Sequence, residues 1–296
     1  MPEGDTIAYA ARRMRPVLDG HVPDEVRTPH PRHRLDRCPE RLAGRAVTEI
    51  RTHGKHLFIR FGPLALGPAA RSASSLAETG SARAIQLARQ DRADRMSSGC
   101  FESDLTIHSH LRMTGSWAVY PPGRRWGRSP RRAWLVLKRA GHEVVQFDGP
   151  VLELLTESRF DQRLASLGPD ILAEEFEPDR FLARLRADDH TRGVGDALLD
   201  QRNVAGIGNL WKSEGCWDAA IDPWRPLSQL TDAEALSIIE VLRPRMFESA
   251  RTGVQDAGRR VFRRHGEACS RCGAKILARG QGEDNRTTFW CPGCQR

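Results

Sequence analysis

The chain has 296 residues, 39% of them hydrophobic, so it is long enough for two domains, or for one with an appendage, and can bury a real core. No apolar run approaches the roughly 20 residues of a membrane span, and no charged segment followed by an apolar one opens the chain as a secretion signal would, so the cytoplasm is the expected location. A net charge of +8, from 46 basic and 38 acidic residues, favours a polyanionic partner, nucleic acid before acidic membrane, although the same Arg and Ala richness is what a GC-rich genome produces.

The chain opens with "MPEGDTI". One reading is a loose end before a helix. The other is chemical: if Met1 is removed, Pro2 becomes a free secondary amine. An α-amine has a pKa near ~8, so part of it is neutral and nucleophilic near neutrality, and Glu3 beside it can give or take a proton. Residues 4–19 read as a helix, with Ile7, Ala10, Ala11, Met14 and Leu18 at helical spacing and Asp5 or Thr6 as its cap.

"AGRAVTEIRTHGKHLFIRFG" (43–62) alternates as strands do, and "THGKH" turns between two runs. Lys55 at its tip, taken alone, is a surface lysine. Residues 63–103 are rich in Ala, Ser, Gly and Arg and read as an inserted, largely disordered loop, with a folded regulatory insert as the other possibility. Strand patterns resume at 104–120, 133–140 and 143–149, which points to a β-sandwich or barrel with the first helix packed on it. "HLRMTG" (110–115) sets Arg112 and Met113 at a strand–turn junction, where the ordinary reading is Met in a core and Arg in solvent.

From about 159 the pattern is helical. "EPDRFLARLRADD" has Pro178 at a first helical position, and "TDAEALSIIEVLRPRMFESA" starts with a Thr231/Glu234 capping box and contains Pro244, which should kink or split it. Between them "LLDQRNVAGIGNLWKSE" (198–214) places Gly206 and Gly208 before Asn209 and a new helix. Amide groups at such a helix start suit a phosphate; tight helix–turn–helix packing explains the glycines equally well. The tail carries "CSRC" (269–272) and "CPGC" (291–294) with 18 residues between the pairs. Each C-x2-C turn presents two sulfurs to one ion, so Cys269, Cys272, Cys291 and Cys294 form a closed, structural zinc site around a β-hairpin. "RRVFRR" (259–264), Lys275 and Arg286 make that hairpin basic, either as a solvated face or as a phosphate contact. Cys38, Cys100 and Cys216 are scattered.

Taken together, "MPEGDT", "THGKHLFIRF", "LTIHSHLRMTGSW", "LGPDIL", "ALLDQRNVAGIGNLWKSE" and the two cysteine pairs, in this order, resemble the formamidopyrimidine-DNA glycosylase / endonuclease VIII family, most of all an actinobacterial-type endonuclease VIII. The resemblance implies an α+β multidomain fold: a β-sandwich with one N-terminal helix (1–155), a helix-two-turn-helix domain (156–262) and a zinc-finger β-hairpin (263–296). It implies a monomeric, nucleoid-associated DNA glycosylase/lyase with one structural zinc, acting on duplex DNA that contains oxidised bases or abasic sites. Strand cleavage would follow by β,δ-elimination through a Schiff base at Pro2.

Carried over by position, Pro2 is the nucleophile at the sugar C1′ and Glu3 the acid/base that opens the sugar ring. Lys55 serves β-elimination, and Arg286 serves δ-elimination. Asn209 binds phosphate, and Arg112 and Met113 fill the gap left by a flipped base. Ser166 stands where a basic DNA-contacting residue is expected, and Thr6 where a second Glu is frequent. The short stretch 246–262 favours oxidised pyrimidines over purines, whereas "HLRMTG" looks like the purine branch. A non-catalytic zinc-finger protein binding damaged DNA is the rival reading. An N-terminal-proline tautomerase leaves the finger and the Asn209 turn unexplained.

Overall fold

The computed structural model describes residues 2–31, 37–64, 103–255 and 258–296. The expectation of a disordered insert over 63–103 falls on residues 65–102, outside the described ones.

The chain forms two compact units that do not follow its order. One unit, Arg13–Arg51 and Leu57–Asp161, is built on strands. Four of them, β1 (Glu25–Arg27), β5 (Ser116–Tyr120), β6 (Ala133–Arg139) and β7 (His142–Phe147), form a sheet of order β1-β6-β7-β5. A second sheet takes β2 (Arg45–His53), β3 (His56–Leu64), β4 (Leu105–His110) and β8 (Val151–Thr156) in the order β2-β3-β4-β8. β2 buries Val47 and Ile50, and β3 buries Leu57, Phe58, Ile59 and Phe61, so β3 is covered on both faces where the sequence suggested simple alternation. The two sheets are tied across the interior by Ser109 of β4, whose hydroxyl accepts from Trp117 Nε1 (3.2 Å) and Gln146 Nε2 (2.5 Å). This is the expected sandwich. A short helix α2 (Cys38–Leu42) and strands β1 and β8 were not anticipated from sequence.

The first helix, α1 (Gly4–Leu18), buries Ile7, Ala11, Met14 and Leu18 along one face. Its start is not capped by Asp5 or Thr6. Asp5 lies inside the first turn and accepts from Ser249 Oγ (2.5 Å) and Gln255 Nε2 (3.0 Å), and Thr6 Oγ1 also accepts from Gln255.

The other unit gathers residues 1–12, 52–56 and 162–296. After α3 (Glu157–Ala165) come α4 (Pro178–Arg186), the short α5 (Val194–Ala197), α6 (Asn209–Asp218) and α7 (Asp232–Thr252). These helices close on a core that includes Phe181, Ile207, Trp211, Ile239 and Leu242. The Thr231/Glu234 capping box is present. Of the two outcomes expected at Pro244, a kink or a split, the split does not occur: the proline forfeits one backbone bond, but Ile238, Ile239, Leu242 and Met246 are buried on either side of it along one continuous α7. The chain ends in an antiparallel hairpin, β9 (Leu277–Gln281) and β10 (Arg286–Trp290), with Arg286 opposite Gln281 and Thr288 opposite Arg279.

Candidate active site and nucleic-acid interface

Three chain segments far apart in sequence meet inside the helical unit. The first is the N-terminus. Glu3 is 1% exposed, and its carboxylate sits on the first turn of α6. Oε2 accepts from the Gly208 amide (2.9 Å) and the Trp211 amide (3.3 Å), and Oε1 from the Leu210 amide (2.9 Å). A helix start leaves such N–H groups without intrahelical partners and carries partial positive charge, so an anion is at home there. The amides that the glycine-rich turn offers are therefore held by Glu3 rather than open to a phosphate. Gly208 is required by contact: a Cβ there would lie 2.2 Å from Glu3 Cδ. The Gly4 amide donates to the Gly206 carbonyl (3.0 Å) and fixes the start of α1 on the same turn.

The second segment is the β2–β3 turn. Gly54 has φ +55°, and a Cβ would come within 2.6 Å of Ala205 Cβ and the Gly206 nitrogen, so only glycine lets this turn lie against 205–206. The third segment, "LGPD", braces that turn. His53 Nε2 donates to the Gly168 carbonyl (2.7 Å), and Asp170, buried, accepts from the Gly54 and Leu172 amides. Lys55 is thus presented next to Glu3.

Burial dominates the electrostatics of this pair. It raises Glu3 to about 7, with the Lys55 charge working against the rise and Asp5 adding to it. It lowers Lys55 to about 8, with Glu3 opposing and Arg286 reinforcing the fall. Near neutral pH Glu3 therefore divides between acid and carboxylate, and a usable fraction of Lys55 is a free amine. That is what proton transfer in either direction requires.

Asn209, first residue of α6, donates from Nδ2 to the Thr287 carbonyl of β10 (2.7 Å), and the Ser213 hydroxyl of α6 accepts from the Phe289 amide (3.4 Å). The hairpin is thereby docked along α6. Arg286 stands at the start of β10, paired with Asp284 (3.3 Å), and its charge reaches Lys55. Pro2, Glu3, Lys55, Asn209 and Arg286 all belong to the one helical unit. Ser166 belongs to it too, exposed at the end of α3, with its hydroxyl spent on the Arg163 carbonyl (2.7 Å).

Arg112 and Met113 lie in the strand unit, at the tip of the β4–β5 turn, where Arg112 has φ +45°. Met113 is 59% exposed, so the ordinary reading of a core methionine does not hold.

The four cysteine sulfurs lie within 4.8 Å of one another, with Cys269–Cys294 at 3.9 Å and Cys272–Cys291 at 3.3 Å. A tetrahedron with Zn–S bonds of about 2.3 Å has edges of about 3.8 Å, so the four sulfurs can hold one metal ion. Trp217 Nε1 donates to Cys269 Sγ (3.3 Å) from the far end of α6. Sequence reasoning missed Asp170, His53 and Glu214. Glu214, fully buried, accepts from the Arg260 (2.9 Å), Val261 (3.0 Å) and Phe262 (2.9 Å) amides and from Arg245 (2.9 Å), which anchors the approach to the finger.

Two family models match the chain: the formamidopyrimidine-DNA glycosylase N-terminal domain over residues 1–152 and the formamidopyrimidine-DNA glycosylase H2TH domain over residues 167–257. The chain is similar over its full length to the probable endonuclease 8 2 of Streptomyces coelicolor, at 34% identity and 94% of that protein's length. It is 32% identical to the DNA-(apurinic or apyrimidinic site) lyase Nei2 of Mycolicibacterium smegmatis, covering all of this chain and 99% of that one. Among solved structures, Lactococcus lactis Fpg in complex with DNA containing N7-benzyl-Fapy-dG has the same fold, with a TM-score of 0.73, 21% identity and full coverage of both chains.

Proposed function

The chain belongs to the formamidopyrimidine-DNA glycosylase family, and we infer from that membership that it is a DNA glycosylase and abasic-site lyase of base excision repair. The observation that carries the reading is the buried Glu3 carboxylate on the α6 amides beside Lys55. Desolvating a fully buried carboxylate beside a half-buried lysine is costly, and a non-catalytic DNA-binding protein has no use for it.

In the mechanism we propose, removal of Met1 exposes the Pro2 amine. Its lone pair attacks C1′ as the bond to the damaged base breaks, and the departing base takes up the proton that the Pro2 nitrogen then loses. Protonated Glu3 gives its proton to the sugar ring oxygen, which opens the ring and leaves an iminium between Pro2 and C1′. The iminium acidifies the C2′–H. Neutral Lys55 takes that proton, and the 3′ phosphate leaves by β-elimination. Arg286 neutralises the phosphate that departs in the second, δ-elimination. Water then releases Pro2. Asn209 contributes to holding the phosphate backbone, a contact that sets register without reading sequence. Arg112 and Met113 fill the space of the extruded base, and Ser166 stands on the DNA side without the cation expected at its position. One zinc held by Cys269, Cys272, Cys291 and Cys294 supplies rigidity to the finger and takes no part in the chemistry.

We further propose oxidised pyrimidines as the preferred substrates. Helix α7 runs to Thr252 and the Glu214-bound amides begin at Arg260, which leaves little chain for a loop over a flipped base. The test is single-turnover excision from duplexes carrying oxidised pyrimidines or oxidised purines. Release of pyrimidines at least tenfold faster supports the reading, and faster purine release refutes the preference. Failure to release either, with no cleavage of abasic DNA, supports the non-catalytic rival.

A further inference from the structure

Lys212 is completely buried on α6, one turn beyond Asn209, yet the mechanism above does not use it. Its ammonium donates to Thr288 Oγ1 at 2.5 Å. The Thr288 hydroxyl is directed onward, donating to Gln281 Oε1 (2.8 Å), and Gln281 Nε2 donates to the Pro223 carbonyl (2.6 Å). Lysine, threonine and glutamine thus form a chain of one polarity: each donates to the next, and the last is anchored on the loop after α6. Thr288 sits on β10 and Gln281 ends β9, so the chain grips both strands of the finger hairpin.

The grip falls on a particular residue. Arg286 pairs directly with Gln281 across the hairpin and lies two positions from Thr288, so Arg286 and Thr288 project from the same face of β10. Slippage of the strand by one residue would turn both to the opposite face. Lys212 feels the charge of Asp196 and, less strongly, those of Glu3 and Arg286, the last two of which belong to the candidate reaction centre. Burial is the largest influence on Lys212; Asp196 and Glu3 attract its charge and Arg286 opposes it more weakly, whereas an apolar residue would fill the space without desolvating an ammonium.

We propose that Lys212 is a positioning residue for Arg286: through Thr288 and Gln281 it sets the register and height of the β9–β10 hairpin, and so delivers the guanidinium to the phosphate that leaves in δ-elimination. This rests on the proposed role of Arg286. The Asn209–Thr287 bond holds the same hairpin from the adjacent residue, so removing Lys212 leaves the finger docked but free to shift.

The experiment compares full-length Lys212→Met, Thr288→Val and Arg286→Ala, zinc-loaded, on duplex DNA with a single abasic site. Two quantities are read: the rate of borohydride-trapped adduct, and the ratio of 3′-phosphate ends (β,δ) to 3′-unsaturated aldehyde ends (β only). Lys212→Met and Thr288→Val should trap adduct within about twofold of wild type but lower the β,δ to β ratio at least fivefold, as Arg286→Ala does. Lys212→Met combined with Arg286→Ala should be no worse than Arg286→Ala alone. A general structural defect would instead slow trapping and product formation together. A wild-type ratio in both Lys212→Met and Thr288→Val, with Arg286→Ala altered, overturns the positioning role and leaves the Arg286 reading intact. A wild-type ratio in Arg286→Ala overturns both. If Lys212→Met does not fold, Thr288→Val decides alone, since it removes the link on the hairpin side.

Discussion

Gly208→Ala probes the seat of Glu3 without touching any reactive group. The backbone at Gly208 is extended, with φ −119° and ψ −167°, so alanine meets no dihedral penalty there. The added methyl would instead lie 2.2 Å from Glu3 Cδ and 2.5 Å from Oε1. Carbon atoms in contact need about 3.5–4.0 Å, so the carboxylate must move by more than 1 Å and leave the amides of Gly208, Leu210 and Trp211. Overpacking of this kind costs about 1–3 kcal/mol of stability. Misplacing a reacting group by about 1 Å costs on the order of 10²-fold in rate, or about 2.7 kcal/mol of activation free energy. Gly127→Ala is the control: the nearest atom to its added Cβ is 4.0 Å away. The assay is single-turnover base excision at saturating enzyme, with DNA affinity measured alongside. Gly208→Ala should keep DNA binding and lose excision by about two orders of magnitude, while Gly127→Ala matches wild type. Wild-type excision by Gly208→Ala would show that the α6 amides do not seat a working Glu3.

The pH dependence follows from the opposed shifts of Glu3 and Lys55. Excision needs protonated Glu3 and should fall as pH rises through about 7, whereas cleavage of a preformed abasic site needs neutral Lys55 and should rise through about 8; coincident profiles would contradict the assignment. Because folding raises the Glu3 pKa, its contribution to stability is full below the unfolded value of 4.5 and is lost as pH rises through about 7. Melting curves from pH 5 to 8 should therefore show Glu3→Gln gaining on wild type with rising pH, by up to about 3 kcal/mol. Glu214→Ala strips three backbone amides and Arg245 of their acceptor and should cost about 3–5 kcal/mol, read as a lowered melting temperature and faster loss of metal to a chelator. Met113→Ala, at an exposed turn tip, should change stability by less than about 0.5 kcal/mol, yet slow excision from duplex DNA; unchanged excision would exclude Met113 as the residue that fills the gap.

The sequence made some of this legible because the signals were local. The face of α1, the apolar run of β3, the capping box at Thr231 and the cysteine spacing each depend on residues within a few turns or one hairpin of each other. The candidate site was legible only as a set of motifs, and their meeting was not. Glu3 finds its amide donor Gly208 at a separation of 205 residues, a distance no periodicity spans. The Gly206–Gly208 turn reads as a phosphate loop because the chemistry is the same: an anion at a helix start, supplied here by the protein itself. Asp170 and His53 escaped notice because their role is to hold the Gly54 turn through bonds to backbone amides and a backbone carbonyl, and such bonds leave no mark on composition. Strand β8, "VLELLT", carries apolar residues at spacings that suit a helix or a strand, and only pairing with β4 settles it.

Covalent catalysis at Pro2 is tested most directly by trapping. Full-length protein is incubated with abasic-site DNA and borohydride, digested with protease and nuclease, and the cross-linked peptide sequenced by tandem mass spectrometry. The mechanism predicts a reduced sugar adduct on the nitrogen of Pro2 at the mature N-terminus, abolished when Met1 is retained. An adduct confined to Lys55, or strand cleavage with no adduct at all, would contradict it.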